Sequence, residues 1–104
     1  MLHINKNVSR SWYNKKGELH RVDGPAFENI NGNKDWWLDG KRHRVDGPAI
    51  EWSNGYREWY LNDKRHRIDG PALEYSDGYK EWCLDGKQYT EEEYKKKMRK
   101  ICYI

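Results

Sequence analysis

Cysteine, proline, aliphatic side chains and an excess of one charge are all scarce in this chain. Its two cysteines, Cys83 and Cys102, stand in unrelated contexts, and neither belongs to a CxxC or Cys/His arrangement with metal-ligand spacing. A disulfide framework and a zinc box are therefore not expected; two free thiols, no metal and no cofactor are. Leu, Ile, Val and Phe together number 16 of 104 residues, a share low enough to raise disorder as a possibility. No apolar run approaches the roughly 18 residues of a membrane span. The opening MLHINKN lacks the charged and apolar regions of a signal peptide, so a cytoplasmic protein is expected. Twenty Lys and Arg against 17 Asp and Glu leave a net charge of +3 with the signs interspersed, a thin basis for nucleic-acid binding. All three prolines occur in Asp-Gly-Pro, at Pro25, Pro48 and Pro71.

Against these absences stand six Trp and eight Tyr, each able to bury on the order of 150–250 Å². Their spacing is regular. Lys41 to Leu61, KRHRVDGPAIEWSNGYREWYL, recurs as Lys64 to Leu84, KRHRIDGPALEYSDGYKEWCL, and Glu18 to Leu38, ELHRVDGPAFENINGNKDWWL, is a third copy. His20, His43 and His66 lie 23 residues apart, as do Trp36, Trp59 and Trp82. Such a period marks a repeat architecture, in which each unit buries apolar surface only against its neighbours. One domain over residues 1–104 is expected, with a degenerate leading repeat at 1–17, repeats at 18–40, 41–63 and 64–87, and a helix at 90–102. In the leading copy Ile4 is aligned with Phe27, Ile50 and Leu73, and Trp12-Tyr13 with Trp59-Tyr60, with one extra residue in the turn that follows.

Each unit alternates two turns, at Asn31-Gly32, Asn54-Gly55 and Asp77-Gly78, and at Asp39-Gly40, Asn62-Asp63 and Asp85-Gly86. These dipeptides supply the positive φ that tight hairpins require. Charge selects the register of the first. A two-residue loop would oppose Glu51 to Glu58, whereas a three-residue loop with Gly in the left-handed position pairs Glu51 with Arg57, Glu74 with Lys80 and Glu28 with Lys34. The second turn, closed by two residues, pairs Leu38 with Lys41, Trp36 with His43, Asp35 with Arg44 and Glu58 with Arg67. Proline in mid-strand donates no ladder bond, so the long strand should bend there without ending. The fold expected is all-β, a 23-residue-repeat antiparallel meander forming a single curved sheet, with a short C-terminal helix. Thr90 and Glu93 form a capping box for that helix, and Tyr94, Met98 and Ile101 share one of its faces.

Strand alternation sorts the repeat positions onto two faces. One is constant between copies: Ala26/Ala49/Ala72, Trp36/Trp59/Trp82 and Leu38/Leu61/Leu84. The other varies: Phe27/Ile50/Leu73, Asn29/Trp52/Tyr75, Asn33/Tyr56/Tyr79 and Trp37/Tyr60/Cys83. Constancy suits stacking and variation suits binding. The expected partner contacts are therefore Trp37, Trp52, Tyr56, Tyr60, Tyr75 and Tyr79, with a protein partner or a second copy covering them. The N-terminal strand Leu2 to Val8, with few charges to blunt pairing, is the edge expected to associate.

The unit WYLNDKRHRIDGPALEYSDG resembles the MORN repeat in its period, its aromatic before a turn, its N/D-G-K followed by His, and its second D/N-G. More closely it resembles a W-Y-x-N-G-K-x-H-R-x-D-G-P-A variant of bacteriophage and giant-virus proteins. The resemblance covers residues 12–88 and departs from MORN where Arg44 and Asp46 replace glycines. It implies an antiparallel, non-catalytic sheet, and a phage-type accessory protein that binds a host protein, such as a defence component, and inhibits or redirects it.

His43-Arg44-x-Asp46 is the most reactive-looking cluster, yet its threefold recurrence and the absence of a nearby nucleophile favour a structural module over a catalytic triad. Arg42, Arg44, Arg65 and Arg67, beside aromatics, form a possible anion or phosphate site, which would serve nucleotides or single-stranded nucleic acid as the alternative ligand. The Lys95–Lys100 run reads as a solvated helix face.

Overall fold

The computed structural model describes residues 1–5 and 9–102. Thirteen short strands precede one helix: β1 (Leu2–Asn5), β2 (Ser9–Trp12), β3 (Phe27–Asn29), β4 (Lys34–Asp35), β5 (Trp37–Leu38), β6 (Lys41–Arg42), β7 (Ile50–Glu51), β8 (Arg57–Glu58), β9 (Tyr60–Leu61), β10 (Lys64–Arg65), β11 (Leu73–Glu74), β12 (Lys80–Leu84), β13 (Lys87–Tyr89) and α1 (Glu91–Cys102). Nine strands form one open antiparallel sheet in meander order, β1-β2-β3-β4-β7-β8-β11-β12-β13. Two-stranded ribbons β5-β6 and β9-β10 lie outside it.

The expected registers hold at both turns. Glu51 faces Arg57, Glu28 faces Lys34 and Glu74 faces Lys80, and Gly32, Gly55 and Gly78 carry φ of 87°, 94° and 98° at the ends of the three-residue loops. Leu38 faces Lys41 and Leu61 faces Lys64. In these two-residue loops both central residues have positive φ, as at Asn62 (48°) and Asp63 (70°), a conformation whose twist matches that of the flanking strands.

Beyond the second turn the expectation fails. Arg44 does not pair with Asp35, nor Arg67 with Glu58; their backbone N–H groups donate instead to the Tyr60 and Cys83 carbonyls within their own units, at 3.1 and 3.2 Å. The long strand does not merely bend at Asp-Gly-Pro. It breaks into β6 and β7, which belong to different sheets, because residues 43–48 leave the ladder: the Arg44 N–H turns to Tyr60 and its guanidinium to Trp36 of the preceding unit. The short strand also parts at Trp36 and Trp59, and each repeat becomes two small hairpins in two rows. Both rows are stitched across units. In the first, the Ala49 N–H donates to Glu58 while its carbonyl accepts from Trp36. In the second, each ribbon straddles two units and is joined to the next ribbon by Asp63 donating to Arg42 and Gly86 to Arg65. Ala26, Ala49 and Ala72 are fully buried at the junction.

The leading copy also shifts by one residue. His3, not Ile4, faces Ser11, which pairs with Phe27 just as Asp35 pairs with Ile50. His3 therefore takes the Phe27 position, and Ile4 points to the opposite, exposed side, since a one-residue slip reverses every side chain. The copy has no Asn-Gly landmark to set its frame, and Val8 lies outside the described residues. The extra residue in its next turn is present, with the Asn14 N–H donating to Glu18 across three residues.

At the C-terminus the capping box forms as expected: Thr90 N–H donates to Glu93 Oε1 at 2.9 Å and Glu93 N–H to Thr90 Oγ1 at 3.1 Å. Tyr94 is buried against Trp82, ring centroids 5.0 Å apart, and its hydroxyl donates to the Arg67 carbonyl. The side chain of Ile101 lies outside the described set. No helix is long and apolar enough to cross a membrane among the described residues. The described residues span 48 × 31 × 18 Å.

Candidate functional site

On the constant face the Arg-x-Asp-Gly-Pro motif folds into a clamp, built three times. The guanidinium of Arg21 lies 3.9 Å from the Trp12 ring centroid, and those of Arg44 and Arg67 lie 3.8 Å from Trp36 and Trp59. Each Nε donates to the Asp two residues on, Arg44 to Asp46 at 3.0 Å, and each Nη1 donates to the proline carbonyl, Arg44 to Pro48 at 3.1 Å. Glycine follows the Asp because a Cβ at Gly47 or Gly70 would stand 2.8 Å from the arginine Cζ. The arginine is thus sandwiched between an indole and a backbone that has no side chain. Its hydrogen bond and charge hold the Asp46 carboxyl below the ordinary carboxylate range.

Histidine secures the second turn of its own unit. Nδ1 of His20, His43 and His66 accepts the N–H of Asp39, Asn62 and Asp85 at 2.9, 2.9 and 3.0 Å. An accepting Nδ1 places the neutral ring's proton on Nε2. All three histidines do the same backbone work, and none is held as a base beside a nucleophile. Cys83 is buried, and burial pushes its thiol up, away from the thiolate form that reacts. Among the described residues no group of three His, Cys, Asp or Glu comes together to hold a metal.

The variable face is not simply a bare surface. Ile50, Leu73 and Cys83 are each only 2% exposed, so this face supplies much of the core that the constant face was expected to hold. Over them lies a polar network drawn from both rows of hairpins. Buried Glu58 accepts from Arg65 Nε at 2.7 Å and from the Tyr60 hydroxyl at 3.3 Å, and Tyr79 donates to Glu81 at 2.8 Å. Burial first, and a hydrogen bond to Glu58 second, push the Tyr56 phenol far above its ordinary value.

Beside this network four rings form a continuous ladder: Trp52 to Tyr56 at 5.1 Å, Tyr56 to Tyr75 at 5.0 Å and Tyr75 to Tyr79 at 5.4 Å between centroids. Three-residue loops place these side chains in neighbouring rows, and the ring spacing follows from the sheet. Of the six expected contact residues, Trp52, Tyr75 and Tyr79 are 38%, 45% and 48% exposed. Tyr56, Trp37 and Tyr60 are half-buried. The inner rings cover one another's faces and present edges to solvent, a poor platform for intercalating bases.

The four arginines named from the sequence divide. Arg44 and Arg67 are held in clamps, and Arg65 is paired with Glu58 and lies 3.5 Å from Glu81. Arg42 rests against the Trp37 and Tyr60 rings, at 4.9 and 5.7 Å. Sequence reasoning overlooked Val22, Val45 and Ile68, which are 82%, 83% and 67% exposed at one repeat position. They overhang open grooves between successive clamps, one of about 690 Å³ lined by Trp36, Leu38 and His43 and one of about 530 Å³ lined by Trp59, Leu61 and His66. The signal was legible: a β-branched residue recurs between the motif's Arg and Asp.

No family model matches the chain, and no curated protein or solved structure matches it.

Proposed function

We propose that the protein is a non-catalytic binding module that docks a protein partner on its variable face, with Trp52, Tyr75 and Tyr79 as the outermost anchors and Tyr56 as the ring that aligns them. The observation carrying this reading is the ladder of four rings with three members exposed. Rigid, amphipathic rings ordered before binding lose little entropy on contact, which is why Trp and Tyr dominate interface hot spots. The clamp and the histidine turns support the same reading from the other side, because their reactive-looking groups are engaged in holding the repeat. Nucleotide or single-stranded nucleic-acid binding finds less support, with Arg44, Arg65 and Arg67 committed to internal partners. From the resemblance to viral repeats alone we add that the partner is a host protein, which binding inhibits or redirects in the cytoplasm.

The test compares wild type with Tyr75→Ala/Tyr79→Ala, after both are shown to fold, in capture from a bacterial lysate and in light scattering at micromolar concentration. Proteins retained by wild type and lost by the double variant support the reading, as does a wild-type dimer that the variant dissociates. Identical capture profiles and an unchanged oligomeric state would remove the ladder from the binding surface.

A further inference from the structure

Arg42 and Arg65 occupy the same position in successive units but differ in their surroundings. Arg65 has two carboxylates, Glu58 at 2.7 Å and Glu81 at 3.5 Å. One unit earlier the corresponding carboxylates are Asp35 and Glu58. Glu58 is already engaged by Arg65, and Asp35, one methylene shorter than glutamate, accepts instead from Trp52 Nε1 at 3.2 Å. Among the described residues the Arg42 side chain has no ion pair and no hydrogen bond, and its Nε is buried without an acceptor. Trp37 Nε1, in the ring against which Arg42 packs, is a second buried donor without a partner.

The position is also rigid. Arg42 N–H donates to Asp63 Oδ1 at 3.3 Å, and its carbonyl accepts from the Asp63 N–H at 2.8 Å. A guanidinium packed against two rings, with Nε enclosed and no carboxylate within ion-pair distance among the described residues, has capacity left for an acceptor from outside. Of its three nitrogens only Nε is enclosed, so the Nη groups remain open to solvent.

We infer that Arg42 is the anchor for an aspartate or glutamate side chain of the docked protein, received end-on by the two Nη groups. This deepens the docking reading and rests on it. One planar guanidinium matches one carboxylate in geometry and charge. Asp35 and Glu58 share the surrounding row and oppose any incoming anion, a doubly charged phosphate more than a singly charged carboxylate. In the next unit the chain supplies the same acceptor itself, through Glu58.

The experiment is an NMR titration of the ¹⁵N-labelled chain with acetyl-Glu-Glu-amide, read at the Arg42 Nε–H and Trp37 Nε1–H resonances. Saturable shifts at both are expected, absent with acetyl-Gln-Gln-amide and lost in Arg42→Gln. Asp35→Glu, which restores the internal pair seen at Glu58–Arg65, should weaken binding at least about fivefold. If Arg42→Gln does not fold, the Asp35→Glu arm decides, since it keeps the guanidinium. Shifts that persist in Arg42→Gln, equal shifts with the glutamine peptide, unchanged affinity in Asp35→Glu, or tighter binding of inorganic phosphate would each overturn the assignment, as would no shift in wild type. Failure of the docking reading appears elsewhere, as lysate capture unaffected by Tyr75→Ala/Tyr79→Ala.

Discussion

The two faces of the sheet solve one problem in opposite ways. On the constant face a polar side chain, arginine, fills the space between units, and its requirements are so specific that Trp, Asp, Gly and Pro must all recur with it. On the variable face, rings and carboxylates of different sizes pack into one continuous layer, because a ring neighbour accepts Trp or Tyr with a small change of tilt. Directional contacts repeat exactly, whereas dispersion and burial tolerate substitution. The end of the array illustrates the rule: no Arg-x-Asp-Gly-Pro motif follows Trp82, and Tyr94 of α1 takes the place against its ring.

Five measurements test how far the faces differ. Trp59→Ala should cause the largest loss, about 3 kcal/mol, because it removes the floor of the Arg67 clamp and a half-buried ring together; chemical denaturation reads it, and a loss no greater than that of Tyr75→Ala would erase the distinction. Gly47→Ala should cost about 1–3 kcal/mol through displacement of the Arg44 guanidinium, with an Arg44→Ala background abolishing most of that cost. Tyr56→Ala should cost about 1 kcal/mol, since the ring sits between two others.

The smallest effects concern charge. Reversal at Glu51 and Arg57 should show a coupling of about 0.5 kcal/mol in a double-mutant cycle, and no coupling would leave the pairing without energetic weight. The two faces should also titrate with opposite sign. Asp46, lowered by its hydrogen bond to Arg44, contributes stability above the unfolded carboxylate range that is lost as pH falls through its folded value. Asp35, raised chiefly by burial, favours folding below its unfolded value, and that advantage is lost as pH rises through the folded one. Melting curves from acid to neutral should therefore show the wild-type advantage over Asp46→Asn growing with pH and that over Asp35→Asn shrinking. The same trend for both would contradict the contrast.

Much was legible in the sequence because it is local. Turn dipeptides, alternating charge and a capping box act within a few residues, and they determined the hairpins, both turn registers, the 23-residue unit and α1. The aromatic positions of the ladder followed from the same alternation. The tertiary structure alone decided where residues 43–48 go, because Arg44 finds Trp36 of the preceding unit only when units stack. It also decided the frame of the leading strand, where His3 replaces Ile4 for want of a turn landmark, and the exposure of Val22, Val45 and Ile68. The most consequential difference is the isolation of Arg42 beside the satisfied Arg65. Two arginines at one repeat position are identical in sequence terms, and only the reach of Asp35 against that of Glu58, one methylene apart in a packed layer, separates them.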